Sequence, residues 1–170
     1  MQLYLLRHGL AGQHGDPRFL NDADRPLTNK GRKKIEKQMA GLERFEIRPH
    51  LILSSPFARA RETAEIVAQA LSLRDRLVID PALAAGASAS AMLQAVQTHL
   101  PANLSESPDD VQVMIVGHEP DLSQAAAELS GGSAQIWLRK GGLIRIDIIA
   151  LDNPHGVLRW LLEPEHLIAA

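Results

Sequence analysis

Three short apolar runs of this 170-residue chain lead into polar residues suited to binding or attacking an anion. The first run ends at Arg7-His8-Gly9, the second is followed by Arg59, and a later run ends at Gly117-His118. Arginine and histidine are poor core residues, because a buried charge without a partner is strongly unfavourable. An anion would supply the partner, and phosphate fits best, since arginine presents a planar fork of donors to its oxygens.

A parallel sheet would bring these residues together. Leu3–Leu6, Leu51–Leu53 and Val111–Val116 are predicted as buried strands. The order of the predicted elements is β-α-β-α-β-α-β-α followed by two strands, which favours an α/β three-layer sandwich with a mostly parallel central sheet flanked by helices. Ligands of such sheets bind beyond the carboxyl ends of the strands. We therefore expect the two arginines and two histidines to meet in one cleft there.

Capping signals place the helices around that cleft. Thr28 is predicted to cap one helix, and Ser55-Pro56 is predicted as an N-cap followed by proline at the first helical position of the next. Pro120 opens a further helix, and the helix N-termini at Pro56 and Pro120 would add N–H donors for an anion. Leu143–Leu151 and Val157–Leu162, around a turn over 152–156, are predicted to form a hairpin at the edge of the sheet.

The composition excludes several classes of protein. The formal net charge is −2, so the chain lacks the excess of positive charge that is typical of nucleic-acid-binding proteins. It has 13 arginines and 5 lysines, and this preference for arginine favours binding of planar anionic groups such as phosphate. The absence of cysteine excludes disulfides, thiolate catalysis and cysteine zinc sites. No apolar run is long enough for a membrane span or a signal peptide. We expect a soluble, cytoplasmic protein with a single domain over residues 1–170.

Four motifs carry a resemblance to a known family. Leu6-Arg7-His8-Gly9 resembles the signature of the histidine phosphatase superfamily, which also contains the phosphoglycerate mutases. Together with the short length, the other motifs are similar to those of the SixA-type phosphohistidine phosphatases, and the resemblance runs from Met1 to about Ile149. These motifs are Arg25-Pro26-Leu27-Thr28 with Gly31, Ser55-Pro56-Phe57-Ala58-Arg59-Ala60 with Thr63, and Val116-Gly117-His118.

The resemblance implies a mechanism. His8 would be the nucleophile, attacking phosphorus to form a covalent phosphohistidine that water then hydrolyses. Arg7, Arg59 and His118 would be the phosphate clamp, and Gly9 would leave room for the backbone to approach the phosphate. No metal or other cofactor is expected, because the arginines supply the charge that a magnesium ion would otherwise give. The alternative of a zinc ion on His8 and His118 lacks an evident third ligand.

One departure from the superfamily bears on the substrate. Many members place a glutamate general acid after the third strand, where this chain reads Pro81-Ala82-Leu83-Ala84-Ala85-Gly86. Asp80 is the nearest acid, but an aspartate before proline is more typical of a turn cap. A loop acid, Asp16, Asp22 or Asp24, is the alternative. The missing acid fits cleavage of a P–N bond, whose imidazole leaving group needs little protonation.

The resemblance implies a protein phosphohistidine as the substrate, on a histidine phosphotransfer domain or a phosphocarrier, and a role in protein dephosphorylation in signal transduction. The alternatives are a small-molecule phosphomonoester phosphatase on the same scaffold and a non-catalytic phosphate-binding module. Arg25 either touches the rim of the substrate site or, the favoured reading, forms a structural salt bridge. Lys140 borders the pocket, and Gly141-Gly142 after it serve a turn. The sequence specifies no oligomeric state.

Overall fold

A six-stranded mixed sheet lies between two layers of helices in a computed structural model, which describes residues 1–105, 110–132, 134–150 and 155–168. Within those ranges no helix has the length and apolar character needed to cross a membrane. The strands are β1 (Gln2–Arg7), β2 (Leu51–Ser54), β3 (Leu77–Ile79), β4 (Gln112–Gly117), β5 (Leu143–Ala150) and β6 (His155–Leu162). The helices are α1 (Asn29–Arg44), α2 (Ala58–Ala70), α3 (Ala89–His99), α4 (Ala102–Ser105), α5 (Asp121–Leu129) and α6 (Pro164–Ile168).

The strand order is β3-β2-β4-β1-β5-β6. The first four strands pair in parallel, whereas β5 is antiparallel to β1 and β6 is antiparallel to β5. The predicted α/β sandwich with a mostly parallel sheet and an edge hairpin is confirmed. The predicted turn over 152–156 falls partly outside the described residues, at 152–154, and β6 begins at His155 rather than at Val157. This order makes β2, β4 and β1 neighbours, so their carboxyl ends lie side by side.

Both faces of β1, β2 and β4 are buried, which explains their nearly continuous apolar runs. Adjacent residues of one strand enter opposite cores, as Leu5 and Leu6 of β1 do. One core packs the sheet against α3 and α5, and the other packs it against α1, α2 and α6. The strands are thereby held rigidly on both sides, and only their ends are left to carry polar side chains.

The start of α1 fixes the chain that follows β1. The predicted cap is confirmed, since Thr28 Oγ1 accepts a hydrogen bond of 2.9 Å from Gly31 N. Thr28 N in turn donates to the Leu10 carbonyl at 2.9 Å. A Cβ atom at Gly31 would overlap that same carbonyl oxygen, so only glycine lets α1 approach the segment so closely. The helix therefore anchors the backbone two residues after His8.

The predicted start of α2 is wrong. The helix begins at Ala58, with Phe57 as its N-cap and no side-chain cap. Ser55 instead extends the line of β2, because its N–H donates to the Val116 carbonyl at 3.0 Å and its hydroxyl contacts His118. Pro56 therefore precedes the helix by two residues and contributes no helix N-terminus. Pro120, by contrast, lies directly before α5, as expected.

Candidate active site

The two arginines and two histidines singled out in the sequence meet at the carboxyl ends of β1, β2 and β4. Arg7 is the last residue of β1, and His8 N continues the sheet by donating to the Gly117 carbonyl at 3.1 Å. The rings of His8 and His118 lie 5.3 Å apart between centroids. Arg59, in the first turn of α2, places its Nε 3.3 Å from His8 Nε2. His8, Arg59 and His118 are each no more than 5% exposed.

The contacts of His8 leave one of its ring nitrogens with a lone pair. Nδ1 lies 2.7 Å from the Gly9 carbonyl, which can only accept, so Nδ1 carries the proton. Burial lowers the pKa of His8 to about 3. The hydrogen bond to the Gly9 carbonyl acts in the opposite direction, whereas the charges of His118, Arg59 and Arg7 also lower the pKa. The imidazole is therefore neutral near pH 7, and Nε2 is unprotonated and faces Arg59.

The proton of His118 is placed by Ser55. Ser55 Oγ accepts a hydrogen bond of 3.3 Å from Phe57 N, so its own hydrogen is available to His118 Nε2 at 2.7 Å. We assign the Ser55 hydroxyl as the donor of this bond, which places the proton of the neutral ring on Nδ1, a buried atom without a hydrogen-bond partner in the described part of the chain. Burial, followed by the charge of Arg59, lowers the pKa of His118 to about 4. A buried donor of this kind is suited to an oxyanion.

Arg59 is held by contacts on both of its terminal nitrogens. Nη1 donates to the Asp22 carbonyl at 2.8 Å, and Nη2 lies 3.0 Å from Asp22 Oδ2. The guanidinium also stacks over the Phe57 ring, with Cζ 5.0 Å from the ring centroid. Arg61, two residues later, is exposed and pairs with Glu65 at 3.7 Å. Of these two arginines, therefore, only Arg59 enters the cleft.

Among the loop acids considered from the sequence, Asp22 lies in the site. Burial raises its pKa, but hydrogen bonds from His14 and Arg25 and the charge of Arg59 bring it down to about 2. An ionised carboxylate cannot donate a proton, so Asp22 serves here as a counter-ion to Arg59. Asp16 pairs instead with the exposed Arg18 at 2.6 Å.

Asp80 lies outside the cleft, as its position before proline indicated. Its Oδ1 accepts a hydrogen bond of 2.8 Å from Ala82 N, which confirms the turn cap. Its other oxygen lies 2.9 Å from His99 Nε2. Both oxygens are thus committed to local structure.

Arg7 has an acidic neighbour that the sequence analysis missed. Its Nη1 donates to the Leu138 carbonyl at 2.7 Å, while its Nε is buried without a partner in the described residues. Glu119 is partly buried and interacts electrostatically with Arg7; burial raises the pKa of Glu119, and Ser123 and Arg7 counteract the rise. The sequence offered one signal for Glu119, which directly follows His118. A cluster of cations needs negative charge nearby, so an acid at this position could have been singled out.

Arg25 acts through Asp22. Its Nε and Nη2 each lie 2.9 Å from Asp22 Oδ1, and its Nη1 donates to the Gly12 carbonyl at 2.7 Å. These contacts bear out the salt bridge expected from the sequence. Arg25 thereby holds the loop that presents Asp22 to Arg59.

The glycines near the site serve packing and turns. Gly9 N donates to Thr63 Oγ1 at 3.1 Å, and a Cβ atom at Gly9 would lie 2.8 Å from Ile35 Cγ1. Glycine is therefore required for packing against α1, a reason the sequence analysis did not identify. Gly141 has φ of +80°, which confirms the turn expected there. Among the described residues, no group of three histidine, aspartate or glutamate side chains is placed to hold a metal ion.

Comparison with known proteins agrees with this geometry. Residues 3–87, half of the chain, match the histidine phosphatase superfamily (branch 1). An uncharacterised protein of Picosynechococcus sp. is 34% identical over 146 residues, which cover 85% of this chain and 83% of that protein. The phosphohistidine phosphatase SixA of Escherichia coli (strain K12) is 26% identical over 170 residues, which cover 98% of this chain and 96% of SixA.

The solved structure of the protein histidine phosphatase SixA complexed with tungstate has the same fold. Its TM-score to this chain is 0.81 at 23% identity, with 98% of this chain and 99% of that chain covered. The chain therefore belongs to the histidine phosphatase superfamily, and its resemblance to the SixA type is confirmed. Phosphatase activity is the class of function that the family supports.

The two depressed histidine pKa values predict how stability changes with pH. His8 and His118 titrate at about 3 and about 4 in the folded chain, below the ordinary value of 6.5. Between pH 6.5 and 4 the unfolded chain binds more protons than the folded chain. The free energy of unfolding should therefore be highest above pH 6.5 and decrease as the pH drops towards 4. Urea unfolding across this pH range measures the slope of the unfolding free energy against pH.

The variant His118→Asn should reduce this slope. The control Leu129→Ala, in the core, should lower the free energy of unfolding and keep the slope. An unchanged slope in His118→Asn would contradict the low pKa assigned to His118.

The Asp22 carboxylate should compete with a bound phosphate for Arg59. In Asp22→Asn the repulsion between two anions disappears, so we expect inorganic phosphate to bind about tenfold more tightly, or ~1.4 kcal/mol. Isothermal titration calorimetry measures the affinity, with Asp16→Asn as a matched control that removes an acid of the same loop. Weaker phosphate binding in Asp22→Asn would show that Asp22 chiefly orients Arg59.

Proposed function

We propose that this protein is a phosphohistidine phosphatase that moves a phosphoryl group from a protein histidine to His8 and then to water. The observation that carries the proposal is the pairing of His8 Nε2 with Arg59 Nε at 3.3 Å. The lone pair of this neutral imidazole accepts a hydrogen bond from Arg59 Nε in the free protein. When phosphate binds, Arg59 donates to the phosphate oxygens instead, which frees the lone pair to attack phosphorus. A module that only binds phosphate would have no use for that lone pair.

The first step transfers the phosphoryl group to the enzyme. His8 Nε2 attacks phosphorus in line, the N–P bond to Nε2 forms, and the P–N bond of the substrate breaks. The electron pair of that bond leaves with the substrate imidazole, which takes up a proton from solvent water. Arg7 Nε, Arg59 and His118 Nδ1 donate to the three equatorial oxygens, where negative charge gathers in the transition state. The Gly9 carbonyl, 2.7 Å from His8 Nδ1, stabilises the positive ring that results.

The second step regenerates the enzyme. Water attacks phosphorus, the N–P bond on His8 breaks, and inorganic phosphate leaves. The same three donors stabilise the charge of this transition state. Two guanidinium groups supply the positive charge in this scheme, and the neutral His118 adds one N–H donor, so we propose that it proceeds without a metal ion or another cofactor.

The ionised Asp22 carboxylate favours P–N substrates. Asp22 has a pKa of about 2 and carries no proton to give to a leaving group. An alkoxide leaving group gains much from protonation, whereas imidazole, with a conjugate acid of pKa ~6.5, gains little. The similarity to the phosphohistidine phosphatase SixA of Escherichia coli supports the same substrate class.

A small-molecule phosphomonoesterase is the alternative, and one observation favours it. Burial raises the pKa of Glu119, beside Arg7, so this carboxyl group holds its proton more readily than an exposed one. A protonated Glu119 within reach of an ester oxygen would serve as the general acid that phosphomonoester cleavage needs.

The proposed partner is a histidine phosphotransfer domain or a phosphocarrier, and the proposed setting is cytoplasmic signal transduction. We further propose that residues 1–170 form one histidine phosphatase domain. The support for the partner is positional: His8 lies at the carboxyl ends of the strands, the edge of an α/β sheet where ligands bind.

The nucleophile is tested by replacing His8. In His8→Ala we expect phosphate release to fall by at least about 10³-fold, because the covalent route is lost. Phosphohistidine is hydrolysed in acid, so acid quenching would destroy the phosphoenzyme. It is detected instead by phosphorus NMR or mass spectrometry at alkaline pH. His99→Ala, a histidine paired with Asp80 outside the cleft, is the matched control and should retain the phosphoenzyme. Turnover that persists in His8→Ala would remove His8 from this role.

The substrate class is tested by comparing two substrates on one enzyme. We expect kcat/KM for a phosphohistidine peptide to exceed that for a sugar phosphate by about 10²-fold, which is the gain that general acid catalysis typically supplies. The Glu119→Gln variant distinguishes the alternative, since it should leave P–N cleavage far less affected than P–O cleavage if Glu119 protonates esters. Equal efficiency on both substrates would contradict the preference for P–N bonds.

A further inference from the structure

A basic groove runs from the phosphate site along the start of α1. It encloses about 420 Å³, and Arg7 and Gly9 form the end that adjoins the site. We call it the lysine groove. The residues that line it beyond the site include Leu10, Lys30, Lys34, Trp137, Arg139 and Lys140.

The distribution of lysines along the chain is strongly one-sided. The chain has five lysines, and three of them, Lys30, Lys34 and Lys140, line the groove. The other two, Lys33 and Lys37, continue the basic face along α1 beside the groove. Positive charge is thus concentrated next to the site of a chain whose formal net charge is −2.

Acidic residues neutralise the groove only in part. Glu165 lies 2.9 Å from Lys34, and Glu163 lies 3.5 Å from Arg139. No ion pair is found for Lys30 or Lys140 within the ranges that the structure describes. The charges of Arg7, Arg25 and Arg59 also act on Lys140, so the groove and the phosphate site share one positive field.

Trp137 adds an aromatic surface to the groove. Its side chain is 70% exposed, although large apolar residues are usually buried. The next residue, Leu138, is fully buried and its carbonyl accepts the hydrogen bond from Arg7 Nη1. Trp137 is therefore presented by a segment that is anchored both in the core and to the phosphate clamp. Exposed tryptophan and arginine are the residues that most often anchor protein interfaces.

We propose that the lysine groove docks an acidic segment of the phosphorylated protein, next to the histidine that is dephosphorylated. This inference rests on the proposed function and deepens it by naming the character of the partner. Lys30 and Lys37 are seven residues apart on α1, so the basic face extends ~10 Å along the helix, at 1.5 Å per residue. A phosphate already bound by Arg7 and Arg59 does not need this additional charge, whereas a protein surface with several carboxylates would match it.

A pair of peptides tests the docking. Each carries one N-phosphohistidine, and they differ only in having four glutamates or four glutamines beside it. We expect the wild-type protein to have a kcat/KM about tenfold higher for the glutamate peptide at low ionic strength, as is usual for electrostatically steered association. The preference should shrink at higher salt, since exposed charges are then screened. Binding of the glutamate peptide should also shift the fluorescence of Trp137.

The variant Lys30→Glu/Lys33→Glu should abolish the preference. Both lysines are exposed. The matched control is Arg48→Glu/Arg74→Glu, which changes the net charge equally at residues that precede β2 and β3, at the other end of these strands. The control should retain the wild-type ratio of the two kcat/KM values. Because each variant is judged by its own ratio, a general loss of folded protein does not mimic the effect.

Three outcomes would overturn the docking role. Equal kcat/KM for the two peptides in the wild-type protein would show that the groove does not recognise acidity, and would leave the proposed function standing. A dimer that Lys30→Glu/Lys33→Glu dissociates, seen by sedimentation, would assign the groove to a second copy of the chain. Hydrolysis of a sugar phosphate but of neither peptide would overturn the proposed function, and the docking role with it.

Discussion

The fold has to hold the guanidinium groups of Arg7 and Arg59 and the imidazoles of His8 and His118 within one cleft. The contact between Arg59 Nε and His8 Nε2 depends on how the positive charge of this cluster is balanced. Burial keeps both histidines neutral, so they add no positive charge to the cluster. Asp22 pairs directly with Arg59, and Glu119 lies in the field of Arg7. The cleft thereby tolerates its own cations and still presents several donors to a doubly charged anion. This balance makes the imidazole of His8, the proposed nucleophile, compatible with the proposed phosphate site.

The sheet order supplies the geometry for this balance. β4 lies between β2 and β1, so His118 is placed between the segments that carry Arg59 and His8. The backbone continues the sheet past the strand ends, because Ser55 N and His8 N donate to carbonyls of the β4 segment. Positions at the site are therefore set by rigid hydrogen-bonded backbone rather than by long loops. The Asp22 loop is the exception, and Arg25 and His14 hold its carboxylate.

The chemistry of the cleft and the charge of its surroundings point to the same kind of substrate. An ionised Asp22 suits a leaving group that needs little protonation, as a phosphorylated imidazole provides. The lysines gathered on one side of the cleft suit a partner larger and more acidic than a phosphate ion. Both features follow from where charge is placed, and neither requires a change in the arrangement of His8, Arg7, Arg59 and His118.

The sequence by itself determined the strands, their mostly parallel order and the four polar residues at their ends, because buried strands leave long apolar runs and their ends stand out against them. The spacing of Arg59 and Arg61 also places them on different faces of a helix, because two residues turn ~200° at 3.6 residues per turn. It did not determine the role of Ser55, whose capping signal was overridden by a hydrogen bond to His118, 63 residues away. Nor did it select Asp22 among the loop acids or identify Glu119, because a counter-ion is defined by its distance in space from an arginine. Only the tertiary structure decided those pairings, since local sequence carries no record of which distant charges must be neutralised.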